Sequence, residues 1–112
     1  TTPGGRNPDR DGLPIDLSEM LAITNGSAYI ERTSVDSPKN INRSKKAIKK
    51  AFRVQMEGLG FALVEILSPC PTNLKMSPVE ASSWIDSTVK KYFPLRVIKD
   101  ETGKSGALPR SE

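Results

Sequence analysis

Cys70 is the residue best placed for chemistry. Pro69 and Pro71 hold it in a stiff turn, and a thiolate can ligate a metal. It is the single cysteine of the chain, and there is no histidine. An internal disulfide, a His-based triad and a His metal site are therefore excluded from this chain alone. One cysteine cannot hold a metal or cluster unaided, so two readings stand: a packed, inert thiol, or a ligand completed from elsewhere. The acids Glu31, Glu65 and Glu80 lie nearest the apolar segments, but their spacing pairs none of them on one face of one element. Glu65 interrupts an apolar run, where a buried charge needs a partner, so it is either an edge-facing group or a site residue. Trp84 reads as core. Gly4, Gly5 and Gly12 form no dinucleotide or Walker fingerprint, because no strand precedes them and no helix opens directly after. No catalytic residue is assigned.

The elements that must position Cys70 follow from caps and periodicity. Asp16 faces Glu19 as a capping pair ahead of Met20, Leu21 and Ile23, which predicts a short helix ending at Asn25-Gly26. Residues 28–35 (AYIERTSV) are rich in β-branched and aromatic side chains and predict a strand. Ser37 caps a helix with Pro38 at its first position, and Ile41, Ile48, Ala51 and Phe52 form its apolar stripe. That helix runs to about Glu57, before Gly58 and Gly60. Residues 61–67 (FALVEIL) are almost continuously apolar and predict a strand buried on both faces. Residues 68–73 (SPCPTN) predict a rigid loop, neither helix nor strand. Ser77-Pro78-Val79-Glu80 is a capping box opening a third helix, with Ala81, Trp84, Ile85, Thr88 and Tyr92 at helical spacing. The order helix, strand, helix, strand, helix contains a βαβ unit with a crossover long enough for parallel strands, so the class is α/β. In open parallel sheets ligands collect beyond the carboxyl ends of the strands, and Cys70 stands three residues past the second one.

At 112 residues the chain makes one small domain. The division expected is a loop over 1–13, an α/β body over 14–100 and a flexible tail over 101–112; the Gly- and Pro-rich start reads as a loop from within a larger protein. No apolar run reaches 18 residues and no basic-then-apolar leader appears, which points to a soluble cytoplasmic protein without membrane contact. The formal net charge of +4 is unevenly spread. Residues 38–57 hold Lys39, Arg43, Lys45, Lys46, Lys49, Lys50 and Arg53 against Glu57, so this helix carries +6 and the remainder −2. Such a face is ordinarily solvated; the alternatives are an acidic electron carrier or partner subunit, or nucleic acid, against which the lack of interleaved aromatics and of a recognised motif counts. A stand-alone basic adaptor for nucleic acid or an acidic protein is the second functional reading.

Residues 58–85 (GLGFALVEILSPCPTNLKMSPVEASSWI), with 28–52 before them, resemble the β subunit of 2-oxoacid:ferredoxin oxidoreductases, specifically the carboxyl-terminal part of its parallel-sheet thiamine-diphosphate-binding domain. The most specific stretches are Ser68–Asn73, Met76-Ser77-Pro78 and Tyr92-Phe93-Pro94-Leu95. Thr1-Thr2-Pro3 resembles the end of the family's Gly-Gln-x-x-Pro-Thr-Thr segment, just past the diphosphate and Mg²⁺ loop. The resemblance implies Thr1 and Thr2 near the cofactor. It also implies Cys70 as one of four thiolates on a [4Fe–4S] cluster, the other three lying outside this chain. Thiamine diphosphate, Mg²⁺, coenzyme A, ferredoxin, and the α and γ or δ subunits are implied as cofactors and partners, in an enzyme of which this chain alone is inactive. The substrates implied are 2-oxoglutarate or a branched-chain 2-oxoacid. The departure at Asn73-Leu74-Lys75, where many members carry an aromatic residue and Gly, bears on substrate subtype rather than family.

Overall fold

The computed structural model describes residues 5–103. The elements are α1 (Pro8–Asp11), α2 (Leu17–Ala22), β1 (Ser27–Ser34), α3 (Pro38–Met56), β2 (Phe61–Leu67), α4 (Pro71–Leu74), α5 (Pro78–Trp84), a π-helical turn (Ile85–Val89), α6 (Lys90–Tyr92) and β3 (Arg96–Asp100). The βαβ unit forms as expected: β1 and β2 pair in parallel from Ser27 opposite Phe61 to Ser34 opposite Leu67, with α3 between them in sequence.

The sheet departs from a purely parallel one. Its order is β2-β1-β3, and β3 runs antiparallel to β1, with Ile30 opposite Lys99 and Arg32 opposite Arg96. Residues 96–100 alternate too briefly, and with too many charges, to signal a strand; pairing to β1 supplies what propensity does not. The middle strand is therefore β1, buried along its whole length, while β2 is an edge among the described residues and Phe61 and Ile66 are exposed. The apolar run over residues 61–67 calls for a neighbour on both sides and a helix on both faces, and among the described residues it has β1 on one side and α3 on one face, which leaves Phe61 and Ile66 uncovered.

Two smaller corrections have local causes. Asn7 accepts from the amides of Asp9 and Arg10 and opens the single turn α1 inside the segment read as loop. Pro71 opens α4 inside the segment read as neither helix nor strand, because proline is well suited to the first position of a helix. The helix opened by Ser77 forms with its full capping box: the Ser77 amide donates to Glu80 at 2.8 Å and the Glu80 amide to Ser77 Oγ at 3.3 Å.

Helix α3 covers the face of the sheet carrying Tyr29 and Glu31. Its inward residues are Ser44, Ala47 and Val54, small enough to let the helix approach closely; Ser44 Oγ donates to the Ser34 carbonyl at 2.8 Å. Tyr29 and Val54 pack with Ala51, Leu59, Ala62 and Val64. Burial first, then the neighbouring Glu31 carboxylate, pushes the Tyr29 phenol up, so it stays protonated and donates to Glu31. Of the apolar stripe Ile41, Ile48, Ala51 and Phe52, Ala51 packs on the core, whereas Ile41 and Ile48 lie on the flank of α3 and Phe52 is 67% exposed.

The opposite face carries Arg32, whose side chain is fully buried. Its Nε donates to Glu65 at 2.8 Å and a terminal nitrogen to Asp16; Ser18 also donates to Glu65, and the Phe93 ring lies 5.2 Å from the guanidinium carbon. One knot thus joins the cap of α2, two strands and the residue after α6. Glu65, left open between edge and site, is the buried arginine's partner.

Gly60 turns the chain into β2 at φ +136°, and a Cβ there would stand 2.8 Å from the Gly26 carbonyl oxygen and 3.1 Å from Ala28 Cβ. Gly26 has open space around it and an ordinary φ. Gly60→Ala should therefore cost about 2 kcal/mol or more in urea unfolding, and Gly26→Ala less than about 1 kcal/mol; equal losses would show that the close approach does not constrain the turn.

Candidate functional site

Parallel pairing puts the carboxyl ends of β1 and β2 side by side, and the Val35 amide donates to the Leu67 carbonyl at 3.2 Å to close that end. Two structures grow from it: the segment Val35-Asp36-Ser37 leading into α3, and the Ser68-Pro69-Cys70 turn leading into α4.

Asp36 organises the first. Its carboxylate accepts from Asn40 Nδ2 at 2.8 Å, from Ser34 Oγ and from Lys90 Nζ at 2.5 Å, and Lys90 also reaches Asp86 at 2.8 Å. The Asp36 side chain is only 4% exposed. Burial alone would push its carboxyl up, but hydrogen bonds from Lys90, Ser34 and Asn40 outweigh that and hold it down at about 2. Lys90 is raised: desolvation works against the ammonium, and the bonds to Asp36 and Asp86 overcome it. The π-helical turn immediately before Lys90 changes the phase of the helix, so that Lys90 meets Asp36 and Phe93 reaches Arg32. Beside this ion cluster opens a cleft of about 830 Å³ lined by Ser37, Asn40, Ser82, Ser87 and the acids. A second cleft, of about 570 Å³ and mainly apolar, is lined by Leu67, Ser68, Trp84, Thr88, Tyr92 and Phe93. Trp84, read as core, is half-buried in its wall.

Cys70 stands in the second structure. It is free and exposed, and its carbonyl accepts from the Leu74 amide at 3.0 Å, so the thiol rides on a closed turn. Lys75 ends that turn in the left-handed conformation, φ 54° and ψ 41°, and the Met76 amide returns to the Pro71 carbonyl at 3.1 Å.

Of the acids weighed in the sequence, Glu31 bonds Arg43 at 2.7 Å on the α3 side, Glu65 bonds Arg32 on the other face, and Glu80 serves its cap. Thr1 and Thr2 lie outside the described residues. Among those described, no three His, Cys, Asp or Glu side chains converge on a metal position. Asp36, Lys90 and Arg32 escaped the sequence reading. The available signal was an Asp directly between a strand and a Ser-Pro helix start, and an arginine centred in a strand of β-formers.

No family model matches the chain, and no solved structure matches it. Among curated proteins, the ketoisovalerate oxidoreductase subunits VorA of Methanothermobacter marburgensis and Methanothermobacter thermautotrophicus are 38% and 39% identical to it over 112 residues, the whole of this chain. The chain is homologous to part of VorA. It spans 23% and 24% of the length of the two subunits. Every residue of the Asp36 cluster and of the Cys70 turn falls within the matched span.

The depressed Asp36 carboxyl fixes the sign of a pH effect. Its contribution is fully present above the unfolded value near 4 and is lost as pH falls through about 2. Asp36→Asn should destabilise the protein by about 2 kcal/mol at pH 6, with roughly half of that difference gone by pH 3. Urea titrations at the two pH values read it, and a pH-independent difference would contradict the ion-cluster assignment.

Proposed function

We propose that this chain is part of the β subunit of a 2-oxoacid:ferredoxin oxidoreductase acting on a branched-chain 2-oxoacid, and that it contributes Cys70 to a [4Fe–4S] cluster. The observation that carries the reading is the homology to VorA along all 112 residues. The overall reaction converts a 2-oxoacid, coenzyme A and two oxidised ferredoxins to acyl-CoA, CO₂, two reduced ferredoxins and a proton. Thiamine diphosphate with Mg²⁺, when bound, supplies the carbanion chemistry of decarboxylation, and an iron–sulfur cluster supplies one-electron transfer.

What the described residues contribute to that chemistry is position. A single exposed thiol, with no other cysteine in the chain, fits one corner of a cluster and no more. Pro69 and Pro71 fix the backbone on either side, and the α4 turn beyond it spares Cys70 the mobility of an ordinary loop. The Asp36–Lys90 pair ties the segment after β1 to the helix after the Cys70 turn, so the two strand ends keep a fixed relation. Thr1 and Thr2 are proposed to lie against the diphosphate. The α and γ or δ subunits are proposed partners in the assembled enzyme, and the cytoplasm its location. No helix among the described residues is long and apolar enough to cross a membrane.

In the assembled enzyme Cys70→Ser should diminish one [4Fe–4S] signal in the electron paramagnetic resonance spectrum and slow ferredoxin reduction by about tenfold or more, while thiamine diphosphate stays bound. Full iron content, an unchanged spectrum and normal ferredoxin reduction would show that Cys70 is not a ligand.

A further inference from the structure

Helix α3 is nineteen residues long and contains no acidic residue. Its inward face is Ser44, Ala47 and Val54, so by helical geometry Lys45, Lys46, Lys49 and Arg53 point directly away from the sheet, and all four are exposed. None of the four makes an ion pair among the described residues, whereas Arg43 and Lys50, nearer the sheet, reach Glu31 and Asp100. Lys45 and Lys49, Lys46 and Lys50, and Lys49 and Arg53 are like-charged pairs at i, i+4, each of which weakens the helix. A helix face that only meets water gains by mixing signs along these rows, and this one does not. Alongside the cations, Phe52 is 67% and Met56 86% exposed, giving a small apolar strip bordered by positive charge.

We propose that this outer face of α3 docks a small acidic electron-carrier protein, with Lys45, Lys46, Lys49 and Arg53 meeting its carboxylates. The inference rests on the proposed redox function for the identity of the partner, and on charge complementarity for its chemistry. Unpaired surface cations around a modest apolar contact suit a short-lived encounter, steered by charge and released quickly. Nucleic acid fits less well, because stacking platforms alternate with cations in such surfaces and Phe52 is the one aromatic side chain on this helix.

The test compares wild-type holoenzyme with the Lys46→Glu, Lys49→Glu, Arg53→Glu triple variant. Two-oxoacid-dependent reduction is followed for methyl viologen, a small dye needing no docking surface, and for a purified acidic ferredoxin. Calorimetric titration of the same ferredoxin into each enzyme at low salt measures binding without turnover. The expected result is unchanged dye reduction, a ferredoxin KM raised at least about tenfold, and loss of the steep salt dependence seen with wild type. A KM and a calorimetric affinity within about twofold of wild type would overturn the proposal. So would wild-type binding to a duplex DNA or RNA oligonucleotide that the variant loses while ferredoxin binding persists. Absence of 2-oxoacid-dependent dye reduction in wild type would instead refute the proposed function, and the calorimetric arm would still decide whether α3 binds an acidic protein.

Discussion

A guanidinium taken wholly out of water dictates how the rest of this fold is arranged. Removing an ion of that size from solvent costs several kcal/mol even after relaxation, so Arg32 can occupy the centre of β1 only if its partners arrive from every side. They arrive from three elements distant in sequence: Asp16 from the cap of α2, Glu65 from β2, and Phe93 from the end of the last helical segment. Arg32 Nη1 has no hydrogen-bond partner, a cost of about 1–3 kcal/mol, and the ring of Phe93 offsets part of it. The arrangement specifies register. A slip of one residue between β1 and β2 would turn Glu65 to the opposite face and strand the arginine.

Register in turn sets the ends of the strands. With Arg32 fixed opposite Glu65, Ser34 and Leu67 finish level, and the chain leaves both strands at the same edge. One exit gives Asp36, clamped by Ser34, Asn40 and Lys90; the other gives the proline-bound Cys70. The exposed thiol and the ion cluster are consequences of where a buried salt bridge places the strand ends. The homology to part of VorA covers both, so the physical frame and the family relation describe the same residues.

Much of this was legible in the sequence, and the failures have definite causes. Caps announced themselves: Asp16 with Glu19, Ser37 with Pro38, and Ser77 with Pro78 and Glu80 each opened the helix they signal. Both parallel strands showed through composition. The order of the strands did not show: among the described residues the strand carrying Glu31 and Arg32 is the middle one, and the apolar strand over residues 61–67 lies at its side with one neighbour. Hydrophobicity ranks burial only where polar groups lack partners, and here each partner lies on a different element. The α3 stripe was legible only at Ala51: Ser44 and Ala47 face the sheet because they are small, and the larger Ile41, Ile48 and Phe52 sit to the side. Lys90 was invisible because only the π-helical turn brings it to Asp36.

The claim that Arg32 with its carboxylates organises the fold is tested most directly by a double-mutant cycle between Arg32→Met and Glu65→Gln, read as urea unfolding free energies at neutral pH. The account predicts that Arg32→Met alone costs about 3–5 kcal/mol, and that the pair is coupled by about 1–3 kcal/mol, so that the double variant is much less damaged than the sum of the two. Single losses below about 1 kcal/mol, or strictly additive ones, would contradict it and reduce Arg32 to a tolerated polar residue in an otherwise apolar fold.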